Sequence, residues 1–201
     1  MTEQNQQQAR HQQRQQKLKE KVDERIAAAQ EEKGILQVIT GNGKGKTTSG
    51  FGMVVRCLGH GMQAGVVQFI KGQWDNGEKN LLSNIGVPFA VMETGFTWET
   101  QNKAADTLAA QQTWQQAKAM LTNPDLDLVL LDELTYMLSY DYLDVDEVIS
   151  VLQNRPPMQH VVVTGRGAHR KLIEIADTVS EVRNVKHAFD AGIKAQLGFD
   201  Y

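Results

Sequence analysis

The sequence predicts an α/β domain with a mostly parallel sheet flanked by helices, preceded by a helical arm. From Gly34 onward, strand-like apolar stretches alternate with helix-like stretches, as in parallel sheets that are covered on both faces. Glycine-rich or polar residues follow the strand-like stretches, and ligands bind at the carboxyl ends of such strands. A chain of 201 residues is long enough for one sizeable domain of this class.

Residues 1–32 differ in composition from the rest of the chain, since Gln, Lys, Arg and Glu dominate and Gly and Pro do not occur. Leu18, Val22 and Ile26 recur at every fourth position and predict a narrow apolar stripe on a helix in the second half of this arm. The first dozen residues have no stripe, and we expect them to be disordered. The arm could be a helix that needs a partner surface or a polar extension that only improves solubility. Residues 33–201 form a single domain in this interpretation.

Six strands and four helices are predicted in order along the domain. The strands are expected at residues 35–39, 64–70, 87–92, 126–131, 160–164 and 179–185. The fourth and fifth are apolar enough to be buried on both faces. Apolar spacing and acidic starts predict helices at residues 51–58, 102–121, 144–153 and 167–176.

The most informative motif is the run Thr40–Thr48, which reads Thr-Gly-Asn-Gly-Lys-Gly-Lys-Thr-Thr between the first strand and the first helix of the domain. Small residues let the backbone curl so that several N–H groups point into one hollow, to which the helix N-terminus and Lys46 add positive charge. A polyphosphate fits this hollow, and the Thr47 hydroxyl can ligate a metal on the phosphates. Thr40 stands where the usual pattern has its first glycine. The motif favours the P-loop NTPase-like (RecA-like) class over a glycine-rich turn that binds nothing.

Two acids, Asp132 and Glu133, follow the predicted strand at 126–131. In phosphate-loop proteins a carboxylate at this position holds magnesium, and a pair of acids at a buried strand end would be costly without a nearby cation. The alternative is a pair of solvated acids that cap a helix. Arg166, which lies between two glycines, could be a phosphate clamp or only a turn residue.

Composition excludes several classes of partner. The formal net charge of −3 gives no overall basic field for nucleic acid, and no apolar segment approaches the roughly 18 residues of a membrane span. The N-terminus has no apolar signal core. Cys57 is the only cysteine, so no internal disulfide is possible, which suits a cytoplasmic protein.

Phe96 and Trp98 are two bulky aromatic residues in a predicted loop after the third strand. On spacing alone, aromatic residues in a loop usually belong to the core. Beside a phosphate site they could instead cover a large flat ligand.

Six segments, taken in chain order, carry a resemblance to a known family: residues 41–48, 66–72, 95–100, 131–136, 164–167 and 185–192. They resemble the ATP:corrinoid adenosyltransferases of the cobalamin pathway, also called cob(I)yrinic acid a,c-diamide adenosyltransferases. The resemblance covers nearly the whole chain. Its specific parts are the aromatic loop and the carboxyl-terminal tail, because many families share the phosphate loop.

The resemblance implies transfer of the 5′-deoxyadenosyl group of ATP to the Co(I) of a corrinoid, with release of triphosphate. The corrinoid would be cobyrinic acid a,c-diamide, cobinamide or cobalamin. The resemblance assigns triphosphate binding to residues 42–47. Together with the motif and the possible clamp, the expected ATP-binding residues are Gly41, Asn42, Gly43, Lys44, Gly45, Lys46, Thr47, Thr48 and Arg166. Magnesium, or manganese, would be held by Thr47, Asp132 and Glu133.

The resemblance also implies roles outside the phosphate site. Lys46 would stabilise the leaving triphosphate, and Phe96 and Trp98 would pack against the corrin and displace its lower axial ligand. Losing that ligand would bring the Co(II)/Co(I) potential within reach of a flavodoxin-type donor. The N-terminal helix would be a lid in a homodimer. Two rival functions are a P-loop kinase or ATPase and an ATP-gated corrinoid carrier without chemistry.

Overall fold

The computed structural model describes residues 3–70, 76–92 and 102–200, in two compact units, Met1–Glu32 and Lys33–Tyr201. In the first unit, α1 covers Glu3–Ala28. The expectation that the first dozen residues are disordered is therefore wrong from Glu3 onward. Gln, Arg, Lys and Glu all have high helix propensity, so the helix extends through residues that lack an apolar stripe. The apolar side chains of α1 are exposed: Leu18, Val22 and Ile26.

The second unit is built on a parallel sheet, which confirms the predicted α/β fold. Within the described residues the strands are β1 (Leu36–Thr40), β2 (Ala64–Gln68), β3 (Phe89–Val91), β4 (Leu128–Asp132), β5 (His160–Thr164) and β6 (Thr178–Glu181). Their order across the sheet is β3-β2-β4-β5-β1-β6, and each neighbouring pair is parallel. All six carboxyl ends therefore lie at one edge. β4, β5 and β1 are adjacent at its centre.

Six helices of the described residues accompany the sheet. They are α2 (Lys46–Gly59), α3 (Gly77–Asn84), α4 (Lys103–Leu121), α5 (Leu134–Ser139), α6 (Val145–Gln153) and α7 (Arg170–Ile175), and a 3₁₀ turn covers Phe189–Ala191. α4 and α6 begin one residue after the predicted starts, because Asn102 and Asp144 are their N-caps. The short helices α3 and α5 were not predicted, and α7 is shorter than expected. Among the described residues, no helix combines the length and apolar character that a membrane span requires.

The core lies on both faces of the sheet. On one face α2 contributes Phe51, Val54 and Cys57, so the lone cysteine is a buried core residue. On the other face α4, α5, α6 and α7 pack together, with Trp114 of α4 almost completely buried. Because both faces are covered, the central strands are fixed in place. The loops that follow their carboxyl ends are therefore attached to a rigid sheet.

Gly50 and Gly52 provide a matched test of how closely α2 lies on the sheet. A Cβ at position 50 would lie 2.7 Å from Leu130 Cδ1 and 3.2 Å from Thr164 Cγ2, whereas a Cβ at position 52 would meet no atom of the described residues within 4 Å. Alanine gains about 0.5–1 kcal/mol over glycine inside a helix, and overpacking a core costs about 1–3 kcal/mol. We expect urea denaturation to give a higher free energy of unfolding for Gly52→Ala and a lower one for Gly50→Ala. Equal shifts in the two variants would contradict the close packing.

Candidate active site

Three adjacent strand ends bring the predicted phosphate and metal residues together. The loop Gly41–Gly45 follows β1. Asp132 is the last residue of β4, Glu133 comes directly after it, and Gly165 and Arg166 follow β5. Asp132, Glu133 and Arg166 all lie close enough to Lys46 to affect its pKa. The edge formed by β4, β5 and β1 is therefore the candidate active site.

The glycines of the loop are required by positive φ angles, by a close backbone approach, or by both. Gly41 has φ of +101° and Gly45 has φ of +115°, a region that side chains disfavour. A Cβ at position 41 would lie 2.4 Å from the Val182 carbonyl oxygen, and one at position 43 would lie 2.6 Å from the Arg183 carbonyl oxygen. The N–H of Gly43 donates to the Val182 oxygen at 2.7 Å. The loop therefore lies directly against the backbone that follows β6.

Lys46, the first residue of α2, is a buried charge that faces other charges. Its side chain is 7% exposed, and its Nζ donates to the Gly43 carbonyl oxygen at 2.7 Å. Burial lowers the pKa of Lys46, the nearby Arg166 lowers it further, and Glu133 and Asp132 oppose this shift. An ammonium group that has lost water and is bonded to a neutral carbonyl gains when an anion such as a phosphate approaches.

Asp132 is held by the two strands that flank β4. Its carboxylate is completely buried, with Oδ1 accepting from Thr164 Oγ1 at 2.6 Å and Oδ2 accepting from Gln68 Nε2 at 3.2 Å. Thr164 Oγ1 in turn accepts from the N–H of Glu133 at 3.0 Å. A solvated capping acid would not be buried in this way, so that interpretation of Asp132 is excluded.

Glu133 is the turning point between β4 and α5. Its φ of +60° is unusual for a residue with a side chain, and it stands at the N-cap of α5 without a side-chain capping bond. A Cβ at position 165 would lie 3.0 Å from Glu133 Oε2 and 2.1 Å from Thr135 Oγ1. Thr135 Oγ1 donates to the Arg166 carbonyl oxygen at 2.7 Å, which fixes the loop after β5 against α5. The exposed Arg166 side chain is thereby anchored at its backbone.

Lys44 joins the loop to the carboxyl-terminal tail. Its Nζ lies 2.5 Å from Asp200 Oδ1 and 5.6 Å from the centre of the Phe199 ring. The hydrogen bond from Lys44 lowers the pKa of Asp200, and the N–H of Gln196 adds to this effect. Sequence reasoning did not find these tail residues, because nothing in a pattern of charges pairs position 44 with position 200.

The donor set suits a metal that is shared with phosphates. In the part of the chain that the structure describes, no three His, Cys, Asp or Glu side chains form a metal cage. Thr47, Asp132 and Glu133 supply hard oxygen atoms at a site with a buried lysine, and magnesium in nucleotide sites is typically held by one or two such ligands together with phosphate oxygens. These residues therefore fit a magnesium ion that arrives with a nucleotide.

Other predicted residues lie outside the described ranges. Phe96 and Trp98 fall within residues 93–101, and the polar run predicted after the second strand falls within residues 71–75. Gln68 and Thr164 are buried polar residues that sequence reasoning passed over. The signal for Thr164 was a polar residue at the last position of an apolar strand, whereas Gln68 lies inside the predicted strand 64–70 and is the end of β2 only in the structure.

Comparison with known proteins gives a consistent result. The family model described as ATP:corrinoid adenosyltransferase BtuR/CobO/CobP matches residues 32–201, and the model described as Cob(I)alamin adenosyltransferase N terminal matches residues 1–26. A corrinoid adenosyltransferase of Escherichia coli (strain K12) is 63% identical over 96% of this chain and 98% of its own length. Corrinoid adenosyltransferase CobA of Salmonella typhimurium is 64% identical over the same shares, and a corrinoid adenosyltransferase of Pseudomonas aeruginosa is 51% identical over 100% of both chains.

Two glycines of the loop after β5 test the arrangement around Glu133. We expect Gly165→Ala to displace Thr135 and Glu133 and to weaken binding of ATP with magnesium about tenfold or more, the scale of losing a charged hydrogen bond. Gly165 also has a positive φ, +132°, so the control is Gly167→Ala, which places alanine at φ of +61° with only Ser139 Oγ nearby, 3.8 Å from the Cβ. Titration calorimetry measures affinity, and circular dichroism checks folding. Equal affinities in the two variants would refute this account of the Glu133 pocket.

Proposed function

This chain belongs to the ATP:corrinoid adenosyltransferase family BtuR/CobO/CobP, and we propose that it holds ATP at the edge formed by β1, β4 and β5. It is an enzyme that transfers the adenosyl group of ATP to a corrinoid. The comparisons give no support for a kinase, an ATPase or a carrier. The observation that carries the proposed site is the buried Lys46 ammonium, bonded to its own loop and surrounded by Asp132, Glu133 and Arg166.

The reaction forms a carbon–cobalt bond at the ribose 5′ carbon and breaks the bond from that carbon to the triphosphate oxygen. The cobalt of the reduced corrinoid supplies the electron pair of the new bond, and the pair of the broken bond leaves with triphosphate. The protein needs no nucleophile of its own. Its task is to stabilise charge that grows on the leaving group.

The residues around the loop perform this task in our proposal. N–H groups of residues 41–48 bind phosphate oxygens, except that of Gly43, which donates to the Val182 oxygen, and Lys46 Nζ exchanges the Gly43 carbonyl oxygen for a phosphate oxygen. Arg166 adds a second positive charge at the opening of the site. Because Lys46 is already shielded from water, its interaction with the triphosphate is stronger than that of an exposed lysine.

Magnesium, or manganese, is the metal that we propose for this site. Thr47 and Glu133 would hold it, with Asp132 as the neighbouring carboxylate. When bound, the metal would neutralise part of the charge on the triphosphate. The protein contributes the fixed position of Asp132, which Thr164 and Gln68 secure by hydrogen bonds.

Further parts of the proposal rest on the chain outside this edge. We propose that Phe96 and Trp98 pack against the corrin and displace its lower ligand, so that a flavodoxin-type donor can reduce Co(II) to Co(I). The exposed apolar side chains of α1 and the separate N-terminal family match support a lid formed by residues 1–32 in a homodimer. The single Cys57 supports a cytoplasmic location.

The products of the reaction test the proposed function. ATP labelled in its phosphates is incubated with the enzyme, magnesium and a chemically reduced corrinoid. We expect intact triphosphate and a light-sensitive adenosylated corrinoid in equal amounts. ADP with inorganic phosphate would contradict the leaving-group assignment, and both ligands bound without any product would favour a carrier.

Lys46→Ala removes the buried charge of the loop. We expect turnover to fall by about 10²-fold or more, the scale of losing a contact that stabilises developing charge. Lys118→Ala is the matched control, because Lys118 is paired with Glu147 on the α4–α6 face. This variant should leave turnover unchanged. Initial rates of adenosylated corrinoid formation provide the measurement. Near-normal turnover in the Lys46 variant would refute its role.

A further inference from the structure

We propose that Gln68 and Asn76 are positioning residues whose side-chain amides orient the Asp132 carboxylate of the ATP site. The inference rests on the proposed function, since it assigns a task to residues behind that same site. Both side chains are buried, and neither belongs to the loop or to the pair of acids at the end of β4. Buried amides are costly unless they are hydrogen-bonded, so their bonds report what they do.

Gln68 reaches Asp132 because of the sheet register. It is the last residue of β2, and it lies opposite Asp132, the last residue of β4. Its Nε2 donates to Asp132 Oδ2 at 3.2 Å, and both residues are 0% exposed. Gln68 therefore supplies one of the side-chain donors that the described residues offer to this carboxylate. Thr164, on the other flanking strand, supplies another.

The orientation of the Gln68 amide is set by Asn76. Asn76 is the N-cap of α3, and its Oδ1 accepts from the N–H of Lys79 at 3.3 Å. This leaves Asn76 Nδ2 to donate to Gln68 Oε1 at 2.9 Å. Since the oxygen of Gln68 is engaged by that donor, its Nε2 faces Asp132. The cap of α3 thus determines that a donor, and not an acceptor, meets the carboxylate.

A reversed Gln68 amide would harm the site. Its carbonyl oxygen would then lie about one hydrogen-bond length from Asp132 Oδ2, and two acceptors at that separation repel each other. The carboxylate would turn away from the position that Thr164 also holds, and Glu133 would be disturbed because its N–H donates to the same Thr164 hydroxyl. The orientation of the Gln68 amide therefore affects the positions of Asp132 and Glu133, the two acids of the proposed metal site.

Asn76→Asp tests this arrangement without removing the cap. Aspartate caps a helix as well as asparagine does, but it has no donor for Gln68 Oε1, so the Gln68 amide is free to reverse. We expect the affinity for ATP with magnesium, measured by calorimetry without corrinoid, to fall about tenfold, with the melting temperature matching that of the control. The control is Asn102→Asp, the same change at the N-cap of α4, where Oδ1 accepts from the N–H of Ala105. It should bind as the unaltered protein does.

Asn76→Ser separates the lost donor from the added charge. Serine keeps a capping oxygen and is neutral, so a loss of affinity in both Asn76 variants supports the orientation role. A loss in Asn76→Asp alone would assign the effect to charge repulsion and overturn the proposal. A fall in melting temperature that matches the fall in affinity would also overturn it, because it would show a structural role only.

A double-variant cycle supplies the final test. Gln68→Met keeps a side chain of similar length but removes the donor, so we expect Asn76→Asp to cause no further loss of affinity in that background. Additive losses would show that Asn76 does not act through Gln68. If the unaltered protein fails to bind ATP with magnesium, that result contradicts the proposed function. It does not contradict the assignment of the Gln68 amide orientation. Unaltered affinity in Asn76→Asp, with normal binding by the parent protein, overturns the inference alone.

Discussion

The Lys46 ammonium is held out of water at the first turn of α2, and a buried charge of this kind needs compensation that the fold must provide. Glu133 and Asp132 raise the pKa of Lys46 against the effect of burial, and the Gly43 carbonyl accepts its hydrogen bond. These partners come from β1 and β4, which the sheet order separates by β5 alone. The arrangement of three central strands is thus what makes the charge tolerable. A triphosphate would supply the remaining negative charge.

Close backbone approach is the second constraint, and it explains where glycine is needed. Positions 41 and 43 lie against the carbonyl oxygens of Val182 and Arg183, and position 165 lies against Thr135 Oγ1. Each contact brings one end of a strand against a neighbouring element, so side chains there would push the phosphate loop or the Glu133 turn out of place. Position 45 differs, because its glycine is required by φ of +115° and not by a contact.

Much of this architecture could be predicted from local patterns, and the remainder depends on pairings that no local pattern contains. The glycine-rich run between β1 and α2 could be placed from the sequence as a loop between a strand and a helix, because the motif and its flanking elements are contiguous. The bond between Gln68 and Asp132 spans 64 positions and follows only from the register of β2 on β4. Helix α1 extends to Glu3 although its first dozen residues have no apolar stripe that would predict a helix. Residues of high helix propensity favour a helix even without an apolar face.

The two lysines of the loop differ in what an incoming phosphate must displace. Lys46 Nζ is bonded to a neutral carbonyl oxygen, which a charged phosphate oxygen readily replaces. Lys44 Nζ is paired with the Asp200 carboxylate and lies near the Phe199 ring, so a phosphate there competes with an existing negative charge. That ion pair is partly exposed and salt would screen it, which makes the competition weak and dependent on ionic strength. Lys46 is therefore better suited than Lys44 to stabilise a leaving triphosphate.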